Sequence, residues 1–218
     1  MAKLELGLPD GIDLAQFVSA QAHDLRSPFN HIVGFAKIVL NGQDGPLTDL
    51  QREDLATVYQ SGLRALALMN NLIDMARLSR REKTVSPARV DLALTLEQAI
   101  AQWKKFNPAR KVQVETDFQT AASLLADEAL LKQAVVGFLA LAAAYTEDPA
   151  KIVVRTEVEP GWQTVTISSQ GTRPPVPSAL DLAMCGSIGR GMVELNGGCI
   201  RSAEDSAEGA VICFALPL

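Results

Sequence analysis

Apolar residues recur at helical spacing through the first forty residues of the chain. Those that share one side of a helix are Leu14, Val18, Leu25, Phe29, Ile32, Ala36 and Val39. Asp10 is predicted to cap this helix, and Asp13 places a carboxylate where it favours a helix start. The run Asn-Gly-Gln-Asp-Gly-Pro at 41–46 predicts the end of the helix and a turn.

A second amphipathic helix is predicted to follow. Thr48 and Gln51 have the spacing of a capping box at its start. Its apolar stripe is Leu55, Val58, Tyr59, Leu66, Met69, Ile73 and Ala76. The helix ends in a basic run within 77–83, where cations interact favourably with the last carbonyls. Two such helices form a helical hairpin, and because each stripe needs a partner, we predict a homodimeric four-helix bundle.

The pattern changes after a predicted linker at Thr84–Pro87. Helices are predicted at 94–106 and 128–145, with a short helix before a turn at Asn196-Gly197-Gly198. Strands are predicted at 112–116, 152–158, 164–168, 199–202 and 210–216. The chain is therefore predicted to be α+β, with a helical domain at 1–83 and a mixed domain at 84–218.

Composition narrows the class of protein. The 218 residues carry a formal net charge of −5, which disfavours nucleic-acid binding. The three cysteines are widely spaced and have no metal-site pattern, which is typical of reduced thiols in a cytoplasmic protein. The most apolar run, 134–145, is shorter than the ~20 residues of a membrane span. We expect no signal peptide and no membrane insertion.

His23 is the candidate chemical group in the first helix. At about 100° per residue it lies opposite the apolar stripe, so its imidazole should face solvent. Exposure by itself is equally typical of an ordinary surface histidine. Pro28, one turn later, lies inside the helical pattern, although a proline there costs roughly 3 kcal/mol. Such a cost next to an exposed His-Asp pair indicates a functional reason.

The segment His-Asp-Leu-Arg-Ser-Pro-Phe-Asn at 23–30 closely resembles the H-box of histidine kinases, and the resemblance extends over residues 12–80. It implies that His23 carries a phosphoryl group on an imidazole nitrogen, a competent nucleophile near neutral pH. It also implies that Asp24 orients the ring or takes its proton. Ser27 matches a polar position that can direct water at a partner's phosphate, although a merely solvated serine is an equal alternative.

The second half more weakly resembles the ATPase domain of histidine kinases. The matching segments are 90–92, Asp127 with 131–133, 145–146, 192–198 and 214–218. This resemblance implies an α/β sandwich, here reduced. The nucleotide-binding residues of the family are missing, because Leu141 and Gly137 replace its asparagines and Ala144 replaces its lysine. No acidic residue follows the strand at 164–168, and the nucleotide lid looks deleted.

These features predict a phosphorelay protein that exchanges phosphate between His23 and the aspartate of a response-regulator receiver domain without ATP-dependent autophosphorylation. We expect no stably bound cofactor, since the receiver domain would supply Mg²⁺. A close variant is a response-regulator phosphatase that uses Ser27. Two alternatives remain open: a non-catalytic dimeric scaffold for a receiver or sensor kinase, and an active sensor kinase with an unusual ATP site.

Overall fold

The computed structural model describes residues 13–43, 45–108, 110–119, 124–171, 179–206 and 209–218. The chain divides into two compact units between Lys83 and Thr84. The predicted cap at Asp10 lies outside the described residues. Asp13 is the N-cap of the first described helix, and its side chain accepts a hydrogen bond of 2.6 Å from the Gln16 backbone N–H.

The N-terminal unit contains helices α1 (Leu14–Ala20), α2 (Ala22–Leu40) and α3 (Asp49–Ser79). The prediction of one continuous first helix is wrong, because the backbone leaves helical geometry at Gln21 (ψ 16°). Pro28 lies within α2, as the helical pattern of the sequence predicted. A proline removes only its own N–H donor from the helical ladder, and the remaining hydrogen bonds keep this helix intact.

The predicted capping box at the start of α3 is confirmed. The Thr48 hydroxyl accepts from the Gln51 backbone N–H at 3.3 Å, and the Gln51 side chain accepts from the Thr48 backbone N–H at 3.0 Å. Helices α2 and α3 approach closely at Gly62, where an added Cβ would lie 3.0 Å from Val33 Cγ2. Nearer the ends of the hairpin, α1 and α3 enclose a small core of Val18, Ala22, Ile73 and Ala76.

Helix α3 ends in a Schellman motif that reverses the chain. The backbone N–H of Glu82 donates to Arg77 O at 2.9 Å, and that of Arg81 donates to Leu78 O at 3.0 Å. Arg81 occupies the left-handed region, with φ 56°. The returning Glu82 then accepts a hydrogen bond of 2.6 Å from the Ser19 hydroxyl. This hydrogen bond, followed by one from Arg80, lowers the pKa of Glu82.

The Schellman turn permits a stability prediction. Arg81→Gly should raise the free energy of unfolding by about 0.5–1 kcal/mol, because glycine adopts positive φ without the steric cost of a Cβ. Urea unfolding followed by circular dichroism measures this change. Arg77→Gly is the matched control, since the same replacement inside the helix should destabilise by about 1 kcal/mol. A loss of stability in Arg81→Gly would contradict the left-handed conformation of Arg81.

The described residues of the C-terminal unit form two sheets and three helices. A two-stranded antiparallel sheet pairs β1 (Ala88–Val90) with β3 (Leu124–Ala126). Neither strand was predicted, because three residues carry too little periodicity to be recognised. The helices are α4 (Leu92–Phe106), α5 (Glu128–Ala144) and α6 (Ala179–Leu195). The prediction that α6 is short is therefore wrong; its first residues follow a proline-rich segment that obscures its start.

The larger sheet has the strand order β2-β4-β5-β7-β6. Its strands are β2 (Val112–Phe118), β4 (Ala150–Glu159), β5 (Trp162–Gln170), β6 (Cys199–Ser206) and β7 (Gly209–Pro217). The β2–β4 pair is parallel and the other pairs are antiparallel. Buried residues of the central strands, including Val154, Ile167 and Phe214, form the core beneath the helices. The predicted α+β class is confirmed.

Asp127 joins three segments of this unit at the start of α5. Its side chain caps the helix by accepting from the Leu130 backbone N–H at 3.1 Å and also accepts from the Ser86 backbone N–H at 2.9 Å. Its own backbone N–H donates to Asn196 Oδ1 at 2.6 Å. These bonds fix the N-terminus of α5 against the turn that follows α6.

Candidate functional site

The imidazole of His23 projects into solvent from the first turn of α2, with 93% of its side chain exposed. The exposure predicted from helical geometry is therefore confirmed. Its Nδ1 lies 3.2 Å from Oδ1 of Asp24. Because an ionised carboxylate only accepts hydrogen bonds, of the two neutral tautomers of the ring this contact favours the one with its proton on Nδ1. The lone pair of Nε2 then faces solvent.

Ser27 lies one turn after His23 on the same helix and is partly exposed. Among the residues that the structure describes, its hydroxyl has no hydrogen-bond partner within the protein. The hydroxyl is consequently available to water or to a docked molecule. Asn30 and His31 are exposed further along α2, and neither contributes to the His23–Asp24 pair.

Arg26 lies on α2 between Asp24 and Ser27, and its sequence context did not predict a role for it. Its Nε donates a hydrogen bond of 2.6 Å to Oδ1 of Asn70, across the α2–α3 contact. The position of Arg26 within the H-box segment at 23–30 was the feature of the sequence that could have indicated a functional role. Asn70, 44 residues away, could be joined to it only through the packing of the two helices.

In the C-terminal unit, the described residues do not fit a bound nucleotide and magnesium. The two α5 positions where the family carries asparagines are occupied by Gly137 and Leu141 and face α6. A Cβ at Gly137 would lie 3.4 Å from the backbone oxygen of Cys185, and a Cβ at Gly186 would lie 3.8 Å from Leu141 Cδ2. Helix α6 therefore covers this face of α5 and leaves an apolar side chain in place of an oxygen ligand.

The end of β5 also lacks an adenine-recognising carboxylate. The Ser169 hydroxyl accepts a hydrogen bond of 3.0 Å from the Ala210 backbone N–H on β7, and Gln170 is exposed. The predicted lid deletion falls on residues 172–178, which lie outside the described residues. Strand β5 ends at Gln170 and α6 begins at Ala179, so the connection available for a lid is short.

Glycines of α6 lie close to α5, and the space around them differs. At Gly189 an added Cβ would lie 2.4 Å from Cε1 of Phe138 on α5. A side chain cannot be accommodated there without displacing the phenylalanine ring. Gly189 is therefore required for the packing of α6 against α5, whereas Gly186 makes only an ordinary van der Waals contact.

Two further features of the described residues bear on the site. In the part of the chain that the structure describes, no group of three or more His, Cys, Asp or Glu side chains is arranged to hold a metal ion. No described helix combines the length and hydropathy that crossing a bilayer requires.

Comparison with known proteins identifies the class to which this arrangement belongs. Residues 13–81 match the His Kinase A (phospho-acceptor) domain family. This match covers the whole described helical unit up to the basic end of α3, including the His23–Asp24 pair. The helical unit is therefore similar to the phosphoacceptor domain of histidine kinases, the family whose H-box the sequence at 23–30 resembles.

Similar curated proteins are larger. The chain is 28% identical over 93% of its length to an uncharacterized sensor-like histidine kinase of Rhizobium meliloti, of which it covers 42%. It is 23% identical to the non-motile and phage-resistance protein of Caulobacter vibrioides over 94% of its length, covering 27% of that protein. It is 27% identical to the cell-division control histidine kinase PdhS of Brucella suis over 66% of its length, covering 14% of that protein. The chain thus spans less than half the length of each of these relatives.

Two solved structures illustrate the shared fold. Full-length ShkA, determined in complex with AMPPNP, superposes with a TM-score of 0.72 at 20% identity, over 93% of this chain and 46% of that chain. The histidine kinase AdeS of Acinetobacter baumannii superposes with a TM-score of 0.60 at 14% identity, over 89% of this chain and 97% of that chain. At these identities the comparison establishes architecture alone.

Proposed function

We propose that the chain is a phosphorelay protein in which His23 exchanges a phosphoryl group with the aspartate of a response-regulator receiver domain. The observation that carries this proposal is the imidazole itself, 93% exposed and hydrogen-bonded through Nδ1 to the Asp24 carboxylate. A docked protein can reach Nε2 without any rearrangement of α2. The match of this helix to a phosphoacceptor domain supports the same role.

The transfer step requires one bond to form and one to break. His23 Nε2 attacks the phosphorus of the receiver's aspartyl phosphate, and the P–O bond to the aspartate breaks, returning its electron pair to the carboxylate. The ring gains positive character, which Asp24 stabilises by accepting the Nδ1 proton in a hydrogen bond. Positioning and charge neutralisation supply most of the catalysis in phosphoryl transfer, and the receiver's own Mg²⁺ would contribute to the latter.

The proposal assigns the phosphate source to the partner, because the described face of α5 is unsuited to ATP. Helix α6 lies against Gly137 and Leu141, and the end of β5 offers no carboxylate. The protein would therefore relay phosphate that another kinase has taken from ATP. The proposed reaction is reversible, so the direction of flow would follow the phosphorylation state of the partner.

We further propose that two copies of the helical unit form a four-helix bundle. Large apolar side chains that are exposed in the single chain lie on these helices: Leu14, Ile32, Phe35, Leu50, Val58 and Leu72. Ile32 projects half a turn away from His23 on α2, so a second copy can cover it while the imidazole stays accessible. Burial by a second copy would also account for the number of large apolar side chains that are exposed on this helical unit.

A phosphatase activity is the second candidate, favoured by the Ser27 hydroxyl one turn after His23, for which the described residues provide no hydrogen-bond partner. Ser27 would hold a water molecule that attacks the aspartyl phosphate of the docked receiver. The products would then be inorganic phosphate and the unmodified receiver, with no label left on this chain.

The proposal is tested by incubating the protein with a ³²P-phosphorylated receiver domain and separately with labelled ATP. We expect acid-labile, base-stable label on the chain from the receiver and none from ATP, and no calorimetric signal for ATP at micromolar concentrations. Loss of receiver label as free phosphate favours the phosphatase. Failure of every receiver from the same genome to transfer or lose label favours a scaffold. Micromolar ATP binding with self-labelling identifies an active kinase.

A further inference from the structure

We propose that Arg26 binds the phosphoryl group during its transfer to His23, and that Asn70 holds the arginine in place for this purpose. This inference rests on the proposed function, since it concerns the same phosphoryl group. The structure contains a bond between residues 44 positions apart, Arg26 Nε to Asn70 Oδ1 at 2.6 Å. The proposal gives a reason for a hydrogen bond from α3 to an arginine that lies close in sequence to His23.

The register of the two helices places this guanidinium close to the imidazole. Gly62 of α3 faces residues 32–33 of α2, as the 3.0 and 3.3 Å approaches of its added Cβ show. Asn70 lies eight residues further along α3, and in an antiparallel pair it is therefore opposite residues 24–25 of α2. Arg26 consequently extends back along its helix, toward the turn that carries His23. Long helical side chains favour this direction.

The angular position of Arg26 around the axis of α2 also places its side chain near His23. Residues three apart on a helix are neighbours on its surface, with Cβ atoms about 5–6 Å apart. Arg26 is therefore adjacent to His23 on α2, on the flank nearer to α3. The imidazole is fully accessible, whereas the arginine is partly buried at the helix contact. A phosphoryl group on Nε2 would lie over this flank.

The hydrogen bond to Asn70 leaves the two Nη groups of the guanidinium available to a ligand. It uses Nε, and among the described residues no acceptor lies within hydrogen-bond distance of the two Nη groups. A planar guanidinium held at one nitrogen presents its remaining N–H donors in a fixed geometry, which suits the oxygens of a phosphoryl group. Binding would neutralise charge on the equatorial oxygens as the phosphorus passes to nitrogen.

The test measures phosphohistidine formation from phosphoramidate, a small donor whose P–N bond breaks with release of ammonia, and from a phosphorylated receiver. Arg26→Ala should slow labelling of His23 by about 10- to 100-fold with both donors. Arg26→Lys should recover part of the rate. Millimolar methylguanidinium, but not the same concentration of NaCl, should rescue Arg26→Ala. Asn70→Ala should give a smaller loss, because the arginine remains but is no longer held.

Arg52→Met is the matched control. Arg52 also bridges α2 and α3, through its Nη1 to Leu40 O at 3.4 Å, but at the opposite end of the hairpin. The labelling rate of the Arg52→Met variant should equal that of the wild type. An unchanged rate in Arg26→Ala, or a slow rate that methylguanidinium does not rescue, would overturn the role of Arg26 while leaving the relay intact. Absence of label from both donors in the wild type would overturn the relay and this inference together.

Discussion

Replacement of His23 by glutamine is expected to abolish phosphoryl transfer completely. Glutamine keeps polarity and approximate length but has no nitrogen lone pair that can attack phosphorus, because its amide nitrogen is conjugated with the carbonyl. The side chain is 93% exposed, so the free energy of unfolding should change by less than about 0.5 kcal/mol. Loss of label would therefore report chemistry and not unfolding. The measurement is acid-labile ³²P on the chain after incubation with a phosphorylated receiver.

The chain contains one other histidine, which provides the control for this experiment. His31 is also exposed on α2 but contacts no carboxylate among the residues that the structure describes, and His31→Gln should keep the wild-type rate. Asp24→Asn should slow transfer by about 10-fold, since an amide oxygen still accepts from Nδ1 but no longer neutralises the ring. Retention of acid-labile label in His23→Gln would show that another residue carries the phosphate.

Introduction of glutamate at Ile32 is expected to dissociate the proposed dimer. Ile32 lies opposite His23 on α2 and is 46% exposed in the single chain. Its Cγ2 also lies beside Gly62 of α3, so an unchanged circular dichroism spectrum must show that the hairpin of the variant is still folded. A dimer would bury two such carboxylates in an apolar seam, and burial of unpaired charge costs several kcal/mol. The dissociation constant should therefore rise by at least about 1,000-fold, as measured by sedimentation equilibrium.

Leu94→Glu is the matched control for the dimer experiment. Leu94 is 50% exposed on α4 of the other unit, and the same substitution there should leave the association constant unchanged. A wild-type chain that sediments as a monomer at micromolar concentration would contradict the four-helix bundle. Equal association of Ile32→Glu and wild type would place the intermolecular face elsewhere.

The helical unit illustrates what local sequence can predict. The capping box of Thr48 and Gln51 is formed by residues three apart, and the exposure of His23 follows from a fixed angle per residue. Both were predictable because their physical cause lies within a few neighbouring residues. The interruption of the first helix at Gln21 was missed, since no glycine or proline marks that position.

The C-terminal unit illustrates the limit of such reasoning. Strands β1 and β3 are three residues each and exist because they pair with one another across more than thirty intervening residues. The sequence indicated that Leu141 and Gly137 cannot ligate a metal. Only the structure identified α6 as the element that lies against them, because a helix–helix contact depends on how both helices pack on the sheet.

The amino-acid sequence by itself determined the two-part organisation, the exposed histidine with its acidic neighbour, and the absence of the family's nucleotide-binding residues. Each follows from residue type and short-range periodicity. The tertiary structure alone decided that α6 lies against α5 at Gly137 and Leu141 and that Arg26 is hydrogen-bonded to Asn70 of α3. These contacts join residues 44 or more positions apart, and their geometry is set by the packing of whole helices.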